Sequence, residues 1–322
     1  DAGLYPEAAA LLHVHLDAGA QQFPMVYYYL GWFAQKQGLA NEAADYFRKA
    51  ATQDPTLCFP NRIEDLLVLK AAMEAEPTDA KAPYYLGNFW YDKRQYENAI
   101  RCWETSVRID DSFPTVHRNL SLAYFNKLND SDKALLSMEK AFSLDQTDAR
   151  ILMELDQLYK RLNRPHAERL SFLEAHLPLV EMRDDLYLER ITLYNQLENY
   201  SKAKSLLGAH RFHPWEGGEG KVVGQYLLCH LELAKQAIEE NDFERALHLL
   251  GETEQYPENL GEGKLPGAQE NDIHYLKGLA YELMGDEATA KNYFLAATKG
   301  ASEPVQAIFY NDAQPDKIFY QG

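Results

Sequence analysis

Tyr27-Tyr28-Tyr29-Leu30-Gly31, followed by Ala34, Ala43, Phe47, Ala50 and Pro55, decides how this chain folds, because the same pattern returns at matching offsets. Tyr84-Tyr85-Leu86-Gly87 is followed by Trp90, Ala99, Trp103 and Ser106. The frame recurs at Leu120-Ser121 with Tyr124, Met138 and Ala141, and at Leu155-Asp156 with Tyr159, Phe172 and Ala175. It returns near the end at Gly278 with Tyr281, Gly285, Ala290, Phe294 and Ala297. A repeat of this length redefines the fold, since each unit is one supersecondary element that buries its apolar face only by stacking on its neighbours. Two antiparallel helices cross closely only where small residues sit, so Gly31, Ala43 and Ala50 admit the bulk of Tyr27 and Phe47. Asp54-Pro55 supplies the turn that ends the second helix.

The intervals are informative. Gly31 to Gly87 is 56 residues, then Ser121, Asp156 and Ile191 follow at 34, 35 and 35. The long first interval holds an extra helix over residues 61–76, with Arg62, Asp65, Leu66, Leu69, Ala72 and Met73, introduced by Cys58-Phe59-Pro60-Asn61. Beyond Ile191 the spacing stretches to 43 at Ala234, 44 at Gly278 and 44 at Gly322, which predicts inserted loops. Gly3, Tyr5, Ala8 and Leu12 match a second helix whose first helix is missing, and residues 318–322 match the start of a further first helix. Complete solenoids end on polar caps, so these ends predict a piece of a longer polypeptide.

These repeats resemble the tetratricopeptide repeat, a helix-turn-helix unit of about 34 residues. The resemblance implies an all-α, right-handed superhelix of antiparallel helix pairs, an α-solenoid running as one array over residues 1–322. Its expected parts are first units at 1–56, the extra helix at 57–80, regular units at 81–209 and long-loop units at 210–322.

Composition narrows the function. With 322 residues, 46% apolar and 25% charged, the chain is neither disordered nor membrane-like. The 49 Asp and Glu against 32 Lys and Arg leave a net charge of −17, which repels phosphate backbones and anionic lipid, and no basic stripe offsets it. Nucleic acid and membrane are therefore not expected partners. Cys58, Cys102 and Cys229 are odd in number and scattered, and read as reduced core residues. His13 and His15 stand two apart on a helix and face different ways, which is no metal pair. The chain starts at Asp1 without an initiator Met, so targeting information is absent and not negative, and the location is left unknown with the cytoplasm favoured. The chain has no Gly-x-Ser-x-Gly elbow, no His-Glu-x-x-His helix and no phosphate loop, so no catalytic residue and no cofactor is expected.

Two surfaces remain. Residues 210–221 and 259–270 are long loops that share Gly-Glu-Gly-Lys, with Lys221 and Lys264 one local period of 43 apart. The two loops should lie side by side on one edge. Glycines let backbone N–H groups approach a ligand, and lysines beside a helix N-terminus favour an anion. On this edge His213, Trp215, Glu216, Glu219, Lys221, Glu262 and Lys264 are binding candidates, against the plainer reading that Phe212 and Trp215 anchor two connectors. The second surface is the groove lined by first helices, where tetratricopeptide superhelices hold peptides. Its candidates are Tyr28, Trp32, Tyr84, Asn88, Tyr91, Arg118, Phe125, Gln157, Lys160 and Arg161, and the plainer alternative for the aromatic ones is packing between helices. Asn88, Asn119 and Arg150 match the two-carboxylate clamp of chaperone-binding relatives, but Tyr84 and Glu154 stand where that clamp has basic residues.

Beyond the repeat, residues 58–62, 80–88, 212–221 and 259–264 resemble the C-terminal helical half of a family of large bacterial proteins. In that family a β-rich, galactose-mutarotase-like region of uncharacterised function precedes the repeats. The resemblance implies that the N-terminal half handles carbohydrate and that the Gly-Glu-Gly-Lys edge faces that half or its ligand, while the repeats and the absent enzyme motifs lead us to expect a non-catalytic interaction scaffold whose partner is a protein or its own N-terminal domain. Its alternative is an accessory helical region of a carbohydrate-active enzyme, lending Glu216, Glu219, Trp215 and His213 to a glycan site.

Overall fold

The structure, a computed structural model, describes residues 3–18, 23–264, 268–300, 317 and 319–322. Among these residues every regular element is helical. Leu265 to Gly267 of the second long loop, and Ile318 near the C-terminus, lie outside the described residues. The chain packs as two compact units, residues 1–158 and 159–322.

The first unit holds α1 (Tyr5–Asp17), α2 (Pro24–Lys36), α3 (Ala40–Thr52), α4 (Ile63–Ala75), α5 (Lys81–Asp92), α6 (Tyr96–Ile109), α7 (Pro114–Ala123), α8 (Ser131–Leu144) and most of α9 (Ala149–Arg161). The second holds α10 (His166–Glu174), the short α11 (Leu177–Val180), α12 (Asp184–Gln196), α13 (Tyr200–Ala209), α14 (Lys221–Glu239), α15 (Phe243–Glu252), α16 (Asn271–Leu283) and α17 (Glu287–Ala297). Successive helices pack as hairpins, α2 on α3, α5 on α6 and α7 on α8 in the first unit, α12 on α13, α14 on α15 and α16 on α17 in the second. The extra helix expected over residues 61–76 is α4.

Three hairpins are fixed by a glycine facing a large residue sixteen positions on. A Cβ added to Gly31 would stand 2.7 Å from Phe47, one on Gly87 2.4 Å from the Trp103 indole, and one on Gly278 2.7 Å from Phe294. The same offset separates Ile191 from Leu207 and Ala234 from Leu250, all buried. Ser121 and Met138 are seventeen apart, and the extra residue is absorbed in a π-helical turn, Tyr124–Leu128, that follows α7.

The backbone carries the same period. The turn after each first helix holds a residue of positive φ: Gly38, Arg94, Asn129, Asn163, Glu198, Asn241 and Gly285, which are 56, 35, 34, 35, 43 and 44 apart. The following N–H reaches back five residues to close the helix, as from Leu39 to Ala34 O at 2.9 Å and from Asp286 to Tyr281 O at 2.9 Å. After the π turn the reach is six, from Asp130 to Tyr124 O at 3.0 Å. Several second helices are then capped by the residue just past the turn. Asp130, Asn199, Asp242 and Asp286 each accept an N–H of the first turn.

Candidate functional site

The two Gly-Glu-Gly-Lys loops do meet. Phe212 N–H donates to Asn259 O at 2.8 Å, and Asn259 Nδ2 donates to the carbonyls of Leu207 and His210, both at 2.8 Å. Gly220 N–H donates to Glu262 Oε2 at 2.9 Å, so the second loop places a carboxylate on the N-terminus of α14. Gly261 has φ +73°, and a Cβ there would meet Phe212 O at 2.7 Å, so only glycine lets the loops approach this closely.

A third anchor, absent from the sequence reading, is Asp184 at the start of α12. Its Oδ1 lies 2.7 Å from His210 Nε2, and its Oδ2 accepts His213 N–H at 2.7 Å and lies 3.1 Å from His213 Nδ1. Burial raises the Asp184 carboxyl, but the bonds from His210 and His213 outweigh it and hold the group below the usual carboxylate range. His210 also stacks on Tyr187 at 3.9 Å, which seats Phe212 in the core.

The loop candidates therefore divide. His213 is bound to Asp184, Glu262 to Gly220, and Lys264 to Glu254 O at 2.9 Å and Glu270 Oε1 at 2.5 Å. Trp215 lies over Gly218, where an added Cβ would be 2.2 Å from the indole. Burial pushes the Glu262 carboxyl up, against the lowering pull of Gly220 N–H. Glu216, Glu219 and Lys221 are exposed. Gly261→Ala is expected to part the loops, costing about 2 kcal/mol and speeding tryptic cleavage after the exposed Arg211. Unchanged cleavage at that bond is the contrary result.

The groove candidates divide as well. Tyr28 and Tyr84 are 0% and 5% exposed, so neither presents a surface to a ligand. Tyr28 donates to Asp79 Oδ2 at 2.7 Å and meets Tyr85 edge-on at 5.9 Å, while Tyr84 packs on Phe113 at 4.9 Å. Aromatic bulk at these positions joins one first helix to the next. Trp32 is half-buried, with Tyr5 edge-on at 5.7 Å and Lys36 Nζ at 5.5 Å from the ring centroid, and Tyr91 is half-buried against Tyr96 and Trp103. Asn88 Oδ1 accepts from Trp103 Nε1 at 3.1 Å and from Asn119 Nδ2 at 3.2 Å. Arg118 grips Glu154 through Nε and Nη2, both at 2.5 Å, and Arg150 Nε reaches the same carboxylate at 3.1 Å. Glu154 thus holds both Arg118 of the groove and Arg150, the cation that matches the carboxylate clamp.

Residues 26–57 and 272–299 match the tetratricopeptide repeat. The matched segments are the hairpins at either end, where Gly31 faces Phe47 and Gly278 faces Phe294. Among solved structures, the chain is similar to Naa15/Naa10 bound to HypK-THB at 15% identity and TM-score 0.48, over 72% of this chain and 33% of that one. The chain thus spans about a third of that relative. It is also similar to YrrB, described as a tetratricopeptide protein with an unusual peptide-binding site, at 14% identity and TM-score 0.38 over 71% of this chain and 90% of that one. A third is a tetratricopeptide repeat protein from Parabacteroides merdae, at 14% identity and TM-score 0.40 over 85% and 91%.

Among the described residues no helix is long and apolar enough to cross a membrane, and no three His, Cys, Asp or Glu side chains converge on a metal position. Burial pushes the thiols up, Cys58 and Cys102 to about 11 and Cys229 to about 12, which favours the protonated form at neutral pH.

Proposed function

We propose that the chain is a non-catalytic protein-interaction scaffold that holds an extended segment of a partner, or of its own polypeptide, on its first-helix surface. The observation that carries this reading is the contrast along α2 and α5. Tyr28 and Tyr84 are buried, whereas Trp32 and Tyr91 keep part of their rings open on a backbone locked by the Gly31–Phe47 and Gly87–Trp103 contacts. A rigid surface with half-open aromatic rings loses little entropy when a segment docks, and aromatic anchors commonly dominate such interfaces. Asn88 and Arg118 border it with amide and guanidinium groups that are already oriented by Trp103, Asn119 and Glu154. The loop edge offers a second, polar face, in which Glu216, Glu219 and Lys221 stand on a backbone fixed by Asn259, Glu262 and Asp184.

The test is capture of peptides from an array covering the natural host's proteome, comparing the wild type with Trp32→Ala/Tyr91→Ala. We expect the double variant to lose captured peptides by about tenfold or more while keeping the helical far-UV signal of the folded chain, with a thermal midpoint lowered by the lost ring packing. Equal capture by a folded double variant sinks the assignment of this surface.

A further inference from the structure

The turn that leads from a first helix into a second occurs once more, at Gly3. Its φ of +76° matches the +78° of Gly38, 35 residues on. Ala8 N–H then donates to Leu4 O at 3.0 Å, just as Ala43 donates to Leu39 O, Ala99 to Gln95 O and Ala290 to Asp286 O, each at 3.0 Å. By turn and register, α1 is built as a second helix.

Its cover is different. Five residues past the turn stand Ala43, Ala99, Ala134, Ala203, Ala246 and Ala290, all 0–4% exposed, and nine past it Phe47, Trp103, Met138, Leu207 and Leu250, all 0–3% exposed. The exceptions are α10, which has Glu168 at the first of these places, and α17, where Phe294 is half-buried at the second. Both places face the unit's own first helix: Ser121 Oγ donates to Ala134 O at 2.7 Å, and Gly31 and Gly87 lie against Phe47 and Trp103. In α1 they are Ala8 and Leu12, each only half-buried, and no residue of α1 is buried. Leu4, Leu11 and Val14, 59–70% exposed, extend the open apolar surface.

Alanine recurs at the first place because a facing helix comes close there, so Ala8 is shaped for a neighbour that α2 and α3 do not provide. Those two helices already hold the other side of α1, through Tyr5 edge-on to Trp32 at 5.7 Å and Tyr46 OH 3.2 Å from His13 Nε2. We propose that α1 is the second half of a further hairpin, and that a helix of the same polypeptide, ahead of Asp1, covers Ala8 and Leu12. The Gly3 turn selects this occupant over a second copy, because that turn is the one by which a chain leaves a first helix. The first helices α2, α5 and α16 give the expected length, 13, 12 and 13 residues. Gly31, Gly87 and Gly278 give the expected chemistry, an apolar face with a small residue where the helix crosses Leu12.

The experiment compares the 322-residue chain with one carrying about 34 further natural residues ahead of Asp1, one repeat, by amide hydrogen exchange of Ala8, Leu11, Leu12 and Val14. The extension is expected to slow exchange at these amides by about tenfold or more. Ala8→Phe has room in the 322-residue chain and is expected to leave its exchange within about twofold of wild type, yet to remove most of the slowing in the extended chain. Far-UV circular dichroism checks that all four proteins are folded. Equal exchange with and without the extension, or an Ala8→Phe variant that keeps the full slowing, overturns the proposal. So does a natural reading frame with only an initiator Met ahead of Asp1. Exchange in the 322-residue chain that slows as its concentration rises assigns the face to a second copy instead.

Discussion

Gly87→Ala is expected to destabilise the first compact unit by about 3 kcal/mol, at the upper end of what overpacking a core costs. The added methyl would stand 2.4 Å from both Trp103 Cδ1 and Nε1, far inside van der Waals contact. The indole has no easy retreat: Trp103 is 3% exposed and its N–H is shared between Tyr84 O at 3.2 Å and Asn88 Oδ1 at 3.1 Å. Moving the ring breaks both bonds, and moving the backbone parts α5 from α6. Gly224 and Gly251 are the controls, since each lies within a helix with nothing within 4 Å of an added Cβ. There Gly→Ala is expected to stabilise by about 0.5–1 kcal/mol through helix propensity alone. Urea unfolding followed by far-UV circular dichroism gives both signs in one series. A Gly87→Ala midpoint equal to that of Gly224→Ala contradicts the packing argument.

That contrast marks what the sequence makes legible. Gly31, Gly87 and Gly278 recur with Phe47, Trp103 and Phe294 at one spacing, so both the hairpin and its tight contact can be read from the residues. The same offset also leads to Leu207 and Leu250, which the reading passed over because neither is aromatic. The pairing of the two long loops was legible because Lys221 and Lys264 are one period apart, and neighbouring units present equivalent loops to the same edge. What held the loops was not legible: Asp184 lies 26 and 29 residues before its histidine partners, and nothing in its local sequence sets it apart from a first-turn acid. Tyr28 and Tyr84 were hidden for a related reason. A tyrosine on a first helix has the same periodicity whether it faces a ligand or the next helix, and only the packing of the neighbouring unit decides.

Asp79→Ala is expected to cost about 3 kcal/mol, while Asp79→Asn stays within about 1 kcal/mol of the wild type at pH 7. Asp79 is 3% exposed and joins α2 to the start of α5, across the extra helix α4. It accepts from Tyr28 OH at 2.7 Å, Lys81 N–H at 2.8 Å and Ala82 N–H at 3.3 Å. Alanine strands a fully buried phenol and two helix N-terminal donors, whereas asparagine keeps an acceptor oxygen in place. Burial raises the carboxyl above its usual value, and the three donors do not fully pull it back. The folded chain therefore holds this proton more tightly than the unfolded chain. The resulting stability is complete below the unfolded value near about 4 and is lost as pH rises through the folded value. Asparagine carries no such charge, so its standing against the wild type is best at pH 7 and declines as the pH falls through that window. Urea midpoints of the three proteins at pH 7 and near pH 4 measure both effects. An alanine variant as mild as the asparagine one would show that Tyr28 finds another acceptor, and a wild-type-to-asparagine gap that ignores pH would show that Asp79 ionises as freely in the fold as outside it.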